Sequence, residues 1–340
     1  MKKLLNTLYV STQGIYLRQE GETVVAEKEK QIVLRLPVHT ISGIVCFGNI
    51  MCSPFLLGLC GERGICVTFL SEHGKFLARV EGPVSGNVLL RMEQMKLASF
   101  PEKAIVPAKC FVLGKIMNCR TLLQRRIRDH GDSEACSKAV SLLASSVRHL
   151  DTAADGDSVR GYEGHAADLY FNVFNDLILS QKKDFYMQNR NRRPPRDPIN
   201  ALLSFLYTLL THECVSALES VGLDPQIGFL HGIRPGRPGL ALDLMEEFRP
   251  FFADRLALSL INLNQIQGKG FKLSESGAVL MDDDTRKIVL TAWQNRKQEE
   301  ILHPFLAEKI KIGLLPYIQA MLLARFIRGE LDLYPPFLIK

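Results

Sequence analysis

The chain has 340 residues, 46% of them apolar and 23% charged, with a formal net charge of +6. That length predicts two domains rather than one core, and the composition excludes a disordered or low-complexity chain. The mild positive charge permits a polyanionic partner without specifying one. No apolar run approaches the roughly 18 residues of a membrane span, so no membrane is expected.

Residues 1–80 read as short strands. Leu8–Val10, Gly14–Leu17, Glu22–Val25, Gln31–Leu34 and Ile41–Phe47 are β-branched or aromatic runs separated by turn residues. Ser53-Pro54 opens a short helix ending near Gly61, with Ser as N-cap and Pro in the first turn. Ile65–Leu70 and Phe76–Val80 form a hairpin around Glu72-His73-Gly74. Turn formers then cluster from Glu81 to Asn87, so a linker is expected over 81–95.

Beyond the linker the apolar spacing is helical. Helices are predicted over Pro107–Arg128, Ser133–Leu150, Ser158–Ile178, Asp197–Leu218, Leu240–Phe248, Pro250–Asn262, Asp284–Ile301 and Pro304–Arg328. A small hairpin is predicted from Phe271–Leu273 and Val279–Met281. The fold class is therefore α+β: a β-rich domain over 1–80, then an all-helical domain over 96–340.

None of the eight cysteines forms a C-x-x-C pair, which argues against a zinc knuckle or a thioredoxin-like site. Four lie within the first 66 residues, mostly inside apolar runs, as small buried hydrophobes do. A reducing cytoplasm suits them. The apolar stretch after Lys2 and Lys3 is broken by Asn6 and Thr7, too early for a signal peptide.

The chemistry concentrates in three segments. On the helix from Ser158, Glu163 borders the apolar stripe Val159, Tyr162, Ala166, Leu169, Val173. A carboxylate there needs a positive partner, either a metal ion or an arginine such as Arg160. Next, His231 ends an apolar run and precedes a turn with two Pro-Gly steps. The helix after the turn carries Asp243 and Glu246 on one face. Imidazole with carboxylates suits Mg²⁺ or Mn²⁺, while a satisfied core histidine is the other reading. There is no H-E-x-x-H, so a zinc peptidase is not indicated. Last, Lys182–Arg196 is a basic stretch with interleaved aromatics that reads either as a phosphate-contacting loop or as a solvated one.

These segments resemble the CRISPR-associated spacer-acquisition integrases, the larger subunit of the adaptation complex. Four ordered motifs carry the resemblance over essentially the full length. They are Arg160-Gly161-Tyr162-Glu163-Gly164-His165-Ala166-Ala167; Asn191-Arg192-Arg193-Pro194-Pro195 running into Asp197-Pro198-Ile199-Asn200; Gly228-Phe229-Leu230-His231; and Arg237-Pro238 through Leu242-Asp243-Leu244-Met245-Glu246-Glu247-Phe248-Arg249. The opening Lys3–Val10 is similar to the branch found with subtype I-C systems.

The resemblance implies a metal-dependent DNA endonuclease and integrase that inserts short foreign fragments into a CRISPR array. A fragment's 3′-hydroxyl would attack a phosphodiester of the repeat. It implies Glu163, His231 and Glu246 as ligands of Mg²⁺ or Mn²⁺, with Asp243 assisting. Arg192, Arg193, Arg234, Arg237 and Arg249 would contact the DNA backbone, and Ser204 and Tyr207 would serve the site, the core or a cap. It further implies double-stranded DNA as substrate, a homodimer, and a small ferredoxin-like partner subunit. A metal phosphohydrolase of small phosphate esters and a non-catalytic DNA-binding scaffold are the competing readings.

Overall fold

The computed structural model describes residues 4–82, 87–131, 133–191 and 194–339. The chain divides into two compact units, Met1–Ser85 with Met281–Gln298, and Gly86–Leu280 with Glu299–Lys340.

The first unit is β-rich, as its β-branched and aromatic runs predict. It contains β1 (Asn6–Val10), β2 (Tyr16–Glu20), β3 (Thr23–Lys28), β4 (Gln31–Pro37), β5 (Ile41–Phe47), β6 (Met51–Cys52), α1 (Pro54–Glu62), β7 (Cys66–Leu70) and β8 (Phe76–Val80). Two four-stranded sheets form, in the orders β1-β5-β7-β8 and β4-β3-β2-β6. β5 pairs in parallel with both β1 and β7, with Leu8 opposite Ile44 and Cys46 opposite Phe69. A parallel pair needs a crossover, and β6 with α1 supplies the one between β5 and β7. Ser53 caps α1 through Leu56 N as predicted. Val10, Leu17, Val24, Ile44, Leu56 and Val67 make the shared core. The β3–β4 turn places two non-glycine residues, Glu29 and Lys30, at φ +50° and +66°.

The second unit is mainly helical, and not all-helical as expected, because two short hairpins lie among its helices. It begins with α2 (Val88–Ser99) inside the stretch expected to be linker, capped by the Asn87 side chain on Leu89 N and Leu90 N. α3 (Pro101–His130) starts earlier than predicted, because Pro101 and not Pro107 occupies its first turn. α4 (Glu134–Asp151) and α5 (Gly156–Asn172) follow, capped by Ser133 and Asp155. α6 (Pro198–Ser220) is capped by Asp197. α7 (Gly239–Glu246) leads into a π-helical stretch at Arg249–Asp254 and α8 (Arg255–Asn262). β9 (Phe271–Leu273) pairs with β10 (Val279–Met281).

α9 (Asp283–Gln298) belongs to the first unit, where Gln294 Nε2 donates to the Thr7 carbonyl at 2.6 Å and Trp293 is fully buried. β11 (Glu300–Leu302) and β12 (Lys309–Lys311) then form a hairpin in the second unit. The last helix, α10 (Leu315–Ile327), therefore begins well after Pro304. α3 packs on α4, α5 and α7, and α6 packs on α7 and α10.

α6 is long and apolar enough to cross a bilayer, against the expectation that no segment would be. Yet most of the helix is buried inside the unit, the setting of a core helix. All eight cysteines are free thiols.

Candidate active site

Three helices bring charge to one buried position. α3 presents Lys115, α5 presents Glu163, and α7 presents Glu246 as its last residue. Lys115 Nζ contacts Glu163 Oε1 and lies 2.8 Å from Glu246 Oε2. From the other side, Arg249 Nη2 stands 3.0 Å from Glu246 Oε1. Lys115 and Glu246 are buried, at 5% and 1% exposure, whereas Glu163 is partly open. The approach of Lys115 to Glu246 Oε2 has ion-pair distance without hydrogen-bond geometry, so that oxygen is a buried acceptor lacking a hydrogen bond.

The charges sustain one another. Burial alone would push the Glu246 carboxyl up, but Arg249, Lys115 and His231 outweigh it and hold the group down at about 2. Burial would push the Lys115 ammonium down, and Glu246 and Glu163 reverse that and raise it. Arg249 is raised in the same way, chiefly by Glu246 against burial. This corner therefore holds full charges in a dry setting, which costs stability unless each is paired.

His231 is aimed by Asp243. The Asp243 carboxylate is fully buried. Its Oδ2 accepts from Phe229 N at 2.6 Å and Leu230 N at 3.0 Å. Its Oδ1 accepts from His231 N at 2.9 Å and meets His231 Nδ1 at 2.7 Å. Because Oδ1 is an acceptor there, Nδ1 carries the proton and Nε2 keeps its lone pair free to accept a proton or bind a metal. Asp243 is thus a positioning residue, since all its hydrogen bonds go to the His231 loop. The loop closes tightly against α7: a Cβ on Gly228 would fall 2.7 Å from the Gly239 carbonyl carbon and 2.9 Å from Asp243 Oδ2.

Behind the acids lies a second polar layer. Tyr207 and Tyr170 donate to the two oxygens of buried Asp254, at 2.7 and 3.1 Å. Burial pushes Asp254 up to about 6, against the pull of both hydroxyls. Arg190 and Arg249 both stand over the Tyr207 ring, at 5.3 and 4.9 Å from its centre. Arg190 also reaches Asn200 Oδ1 at 2.5 Å and Ser204 Oγ at 3.5 Å. Ser204 and Tyr207 therefore hold the arginines of the site.

The predicted residues divide as follows. Glu163 and Glu246 come together on Lys115, but His231 is not placed closely enough to share an ion with both, against the expectation of a three-residue ligand set. The alternative pairing of Glu163 with Arg160 is not made, because Arg160 bonds Asp157 and the Leu230 carbonyl. Arg249 was expected on the DNA backbone. Its side chain is instead only 13% exposed and engages Glu246 and Tyr207. Arg234 is exposed and Arg237 half-buried on the loop before α7, while Arg192 and Arg193 lie outside the described residues. The residue that sequence reading missed is Lys115. It falls three residues after Val112 and four before Cys119, both buried, so a lysine on the apolar stripe of α3 was the available signal.

Among the described residues, no three His, Cys, Asp or Glu side chains are placed close enough to share an ion. The donor chemistry nevertheless fits a divalent cation. Two carboxylates converge on one cationic position, one oxygen is a buried acceptor without a hydrogen bond, and the nearby imidazole has its Nδ1 already committed. The Lys115 ammonium stands where the carboxylates meet.

The family model for the CRISPR associated protein Cas1 matches residues 8–295. A CRISPR-associated endonuclease Cas1 of Chlorobaculum tepidum is 54% identical over 340 residues, covering 99% of each chain. A casposase bound to its integration product superposes with a TM-score of 0.86 at 20% identity, over 99% of this chain and 95% of that one. A chain of a Cas6-RT-Cas1–Cas2 complex superposes with a TM-score of 0.83 at 22% identity, over 99% of this chain and 36% of that one.

Proposed function

This chain belongs to the Cas1 family of CRISPR-associated proteins, and from that premise we propose that it is a metal-dependent DNA endonuclease and integrase. In this reading it inserts short DNA fragments into a CRISPR repeat through 3′-hydroxyl attack on a phosphodiester. One observation carries the reading: Glu163 and Glu246 reach a single buried cationic position beside an oriented histidine, in a chain 54% identical to a named endonuclease.

Glu163, Glu246 and His231 Nε2 would hold Mg²⁺ or Mn²⁺. Such an ion, when bound, supplies charge stabilisation at attacking and leaving oxygens. The chain's own residues do the rest. Asp243 fixes the His231 tautomer and the loop that carries it. Arg249 keeps Glu246 ionised in a dry site, and the Arg249 guanidinium stands over the Tyr207 ring. Exposed Arg234 and half-buried Arg237 flank the His231 loop and suit phosphate oxygens.

The substrates would be double-stranded DNA, both the fragment and the repeat. A homodimer and a small second subunit would complete the assembly; the neighbouring Cas1 chain found in a complex with Cas2 supports the latter. A cytoplasmic location fits both the substrate and the free thiols.

The test is joining of a short duplex into a repeat-bearing plasmid, with Mn²⁺ or a chelator, with and without the small subunit. The reading expects Mn²⁺-dependent joining that His231→Ala abolishes while the variant still folds. Turnover of a nucleotide ester with no action on DNA would favour a phosphohydrolase instead. Unimpaired joining by both Glu163→Gln and Glu246→Gln would reject a catalytic role for the site.

A further inference from the structure

Lys115 has no part in the site as read from the sequence, yet it is the group to which both acids turn. Its ammonium meets Glu163 Oε1 and lies within 2.8 Å of Glu246 Oε2, and its side chain is only 6% exposed. Two carboxylates and a divalent ion at ordinary oxygen–metal distances leave no room for an ammonium between them. We propose that Lys115 is a built-in stand-in cation that competes with the divalent metal for the Glu163–Glu246 position and must withdraw when the metal enters. The proposal rests on the metal-site reading above and adds a residue that sets how tightly the site takes its ion.

Three observations converge on it. The contacts run to both carboxylates and not to one, so Lys115 occupies the shared point and not the margin of one acid. The approach to Glu246 Oε2, at 2.8 Å, is an ion pair in a buried setting, so the ammonium holds that oxygen through its charge, the service a metal would replace. Glu246 keeps a second cation, Arg249, on its other oxygen, so withdrawal of Lys115 leaves it still compensated on one side. A lysine suits such a role, with a compact charge on a flexible four-carbon stem, whereas a guanidinium would lock both acids in a planar fork. Without metal, the ammonium keeps two acids from repelling each other in a dry corner. With metal, the same ammonium is redundant.

The consequence is a lowered apparent metal affinity in the natural chain. The full-length protein, stripped with chelator, is titrated with Mn²⁺ alone, and free Mn²⁺ is read by electron paramagnetic resonance. Lys115→Gln removes the charge but keeps a donor that can reach a carboxylate. This variant is expected to bind Mn²⁺ on the order of tenfold or more tighter than the natural chain, and to gain more thermal stability from Mn²⁺. Equal or weaker binding by a folded Lys115→Gln overturns the competition while leaving the metal site standing. No Mn²⁺ binding by either form overturns both. A second measurement on the natural chain guards against a variant that fails to fold. With ¹⁵N-labelled lysines, the solvent-protected Nζ resonance of Lys115 is expected to be lost or displaced when Mg²⁺ is added. Persistence of that resonance unchanged at saturating Mg²⁺ also overturns the proposal.

Discussion

Replacing Asp243 with Asn tests how the histidine is held. The carboxylate accepts three backbone N–H groups and faces the imidazole Nδ1, all at 2.6–3.0 Å and fully buried. Asparagine has the same shape but only one acceptor atom. Whichever way the amide turns, one pair of donors faces an NH₂ group. Facing Phe229 and Leu230 the NH₂ group loses two hydrogen bonds, whereas facing His231 it loses one, because the imidazole can change tautomer and accept at Nδ1. Hydrogen bonds to a charged acceptor contribute about 1.5–3 kcal/mol each, so the expected destabilisation is at least about 1.5–3 kcal/mol, measured by denaturant unfolding against the natural chain. That corresponds to a melting point lower by at least about 3 °C for a domain of this size. The loss should be local in origin, so hydrogen exchange at Phe229, Leu230 and His231 should quicken before the rest of the second unit responds. Metal-dependent joining should fall together with the tautomer of His231. A loss below about 1 kcal/mol with unchanged exchange at those three amides would refute the claim that Asp243 organises the loop.

Further outcomes follow from neighbouring contacts. Gly228→Ala should destabilise the same loop severely, because its Cβ would meet backbone at 2.7 Å; a variant with the native unfolding midpoint would contradict the packing. Gly114→Ala should cost about 1–3 kcal/mol, since its Cβ would lie 2.9 Å from Glu247 Cβ and 3.2 Å from Pro336 Cβ, read by unfolding. Asp254 binds its proton more tightly folded than unfolded, with its value raised from 3.8 to about 6 by burial. Its contribution to stability is thus fully present below pH 3.8 and is lost as pH rises through about 6. The stability of the natural chain relative to Asp254→Asn should accordingly fall by about 3 kcal/mol across that window, and a flat difference would reject the assignment. Lys30→Gly should stabilise the first unit by about 0.5–1 kcal/mol, because Lys30 holds φ +66° in the β3–β4 turn.

Much of the fold was legible because local signals agreed with it. Ser53, Ser133 and Asp197 each cap a helix where a capping residue stood before an apolar run. The strands of the first unit lie on the β-branched and aromatic runs that predicted them. Three features were not legible. The parallel pairing of β5 with β1 and β7 depends on long-range crossover, which no local pattern records. α2 follows a cluster of turn formers, and only Asn87, used here as a cap, marked its start. The start of α10 was obscured because the β11–β12 hairpin carries apolar residues at spacings a helix would also use.

The site was legible in its acids and not in its geometry. Glu163, His231 and Glu246 stood out as candidates through the motifs of the family resemblance, and the structure joins the two acids on Lys115. That Asp243 turns toward the loop and not toward Glu246 depends on backbone N–H groups, which sequence does not display. Arg249 read as a surface cation because its neighbours in sequence gave no sign that Glu246 and Tyr207 would enclose it. Lys115 sits 48 residues from Glu163 in sequence, so only folding joins them.

The most direct measurement is a crystal soaked in Mn²⁺ and examined by anomalous scattering at the manganese edge. The account predicts one peak touching Glu163, Glu246 and His231 Nε2, with the Lys115 ammonium withdrawn from between the carboxylates. Saturating Mn²⁺ with no peak at those three groups, or a peak held by other residues, would contradict it.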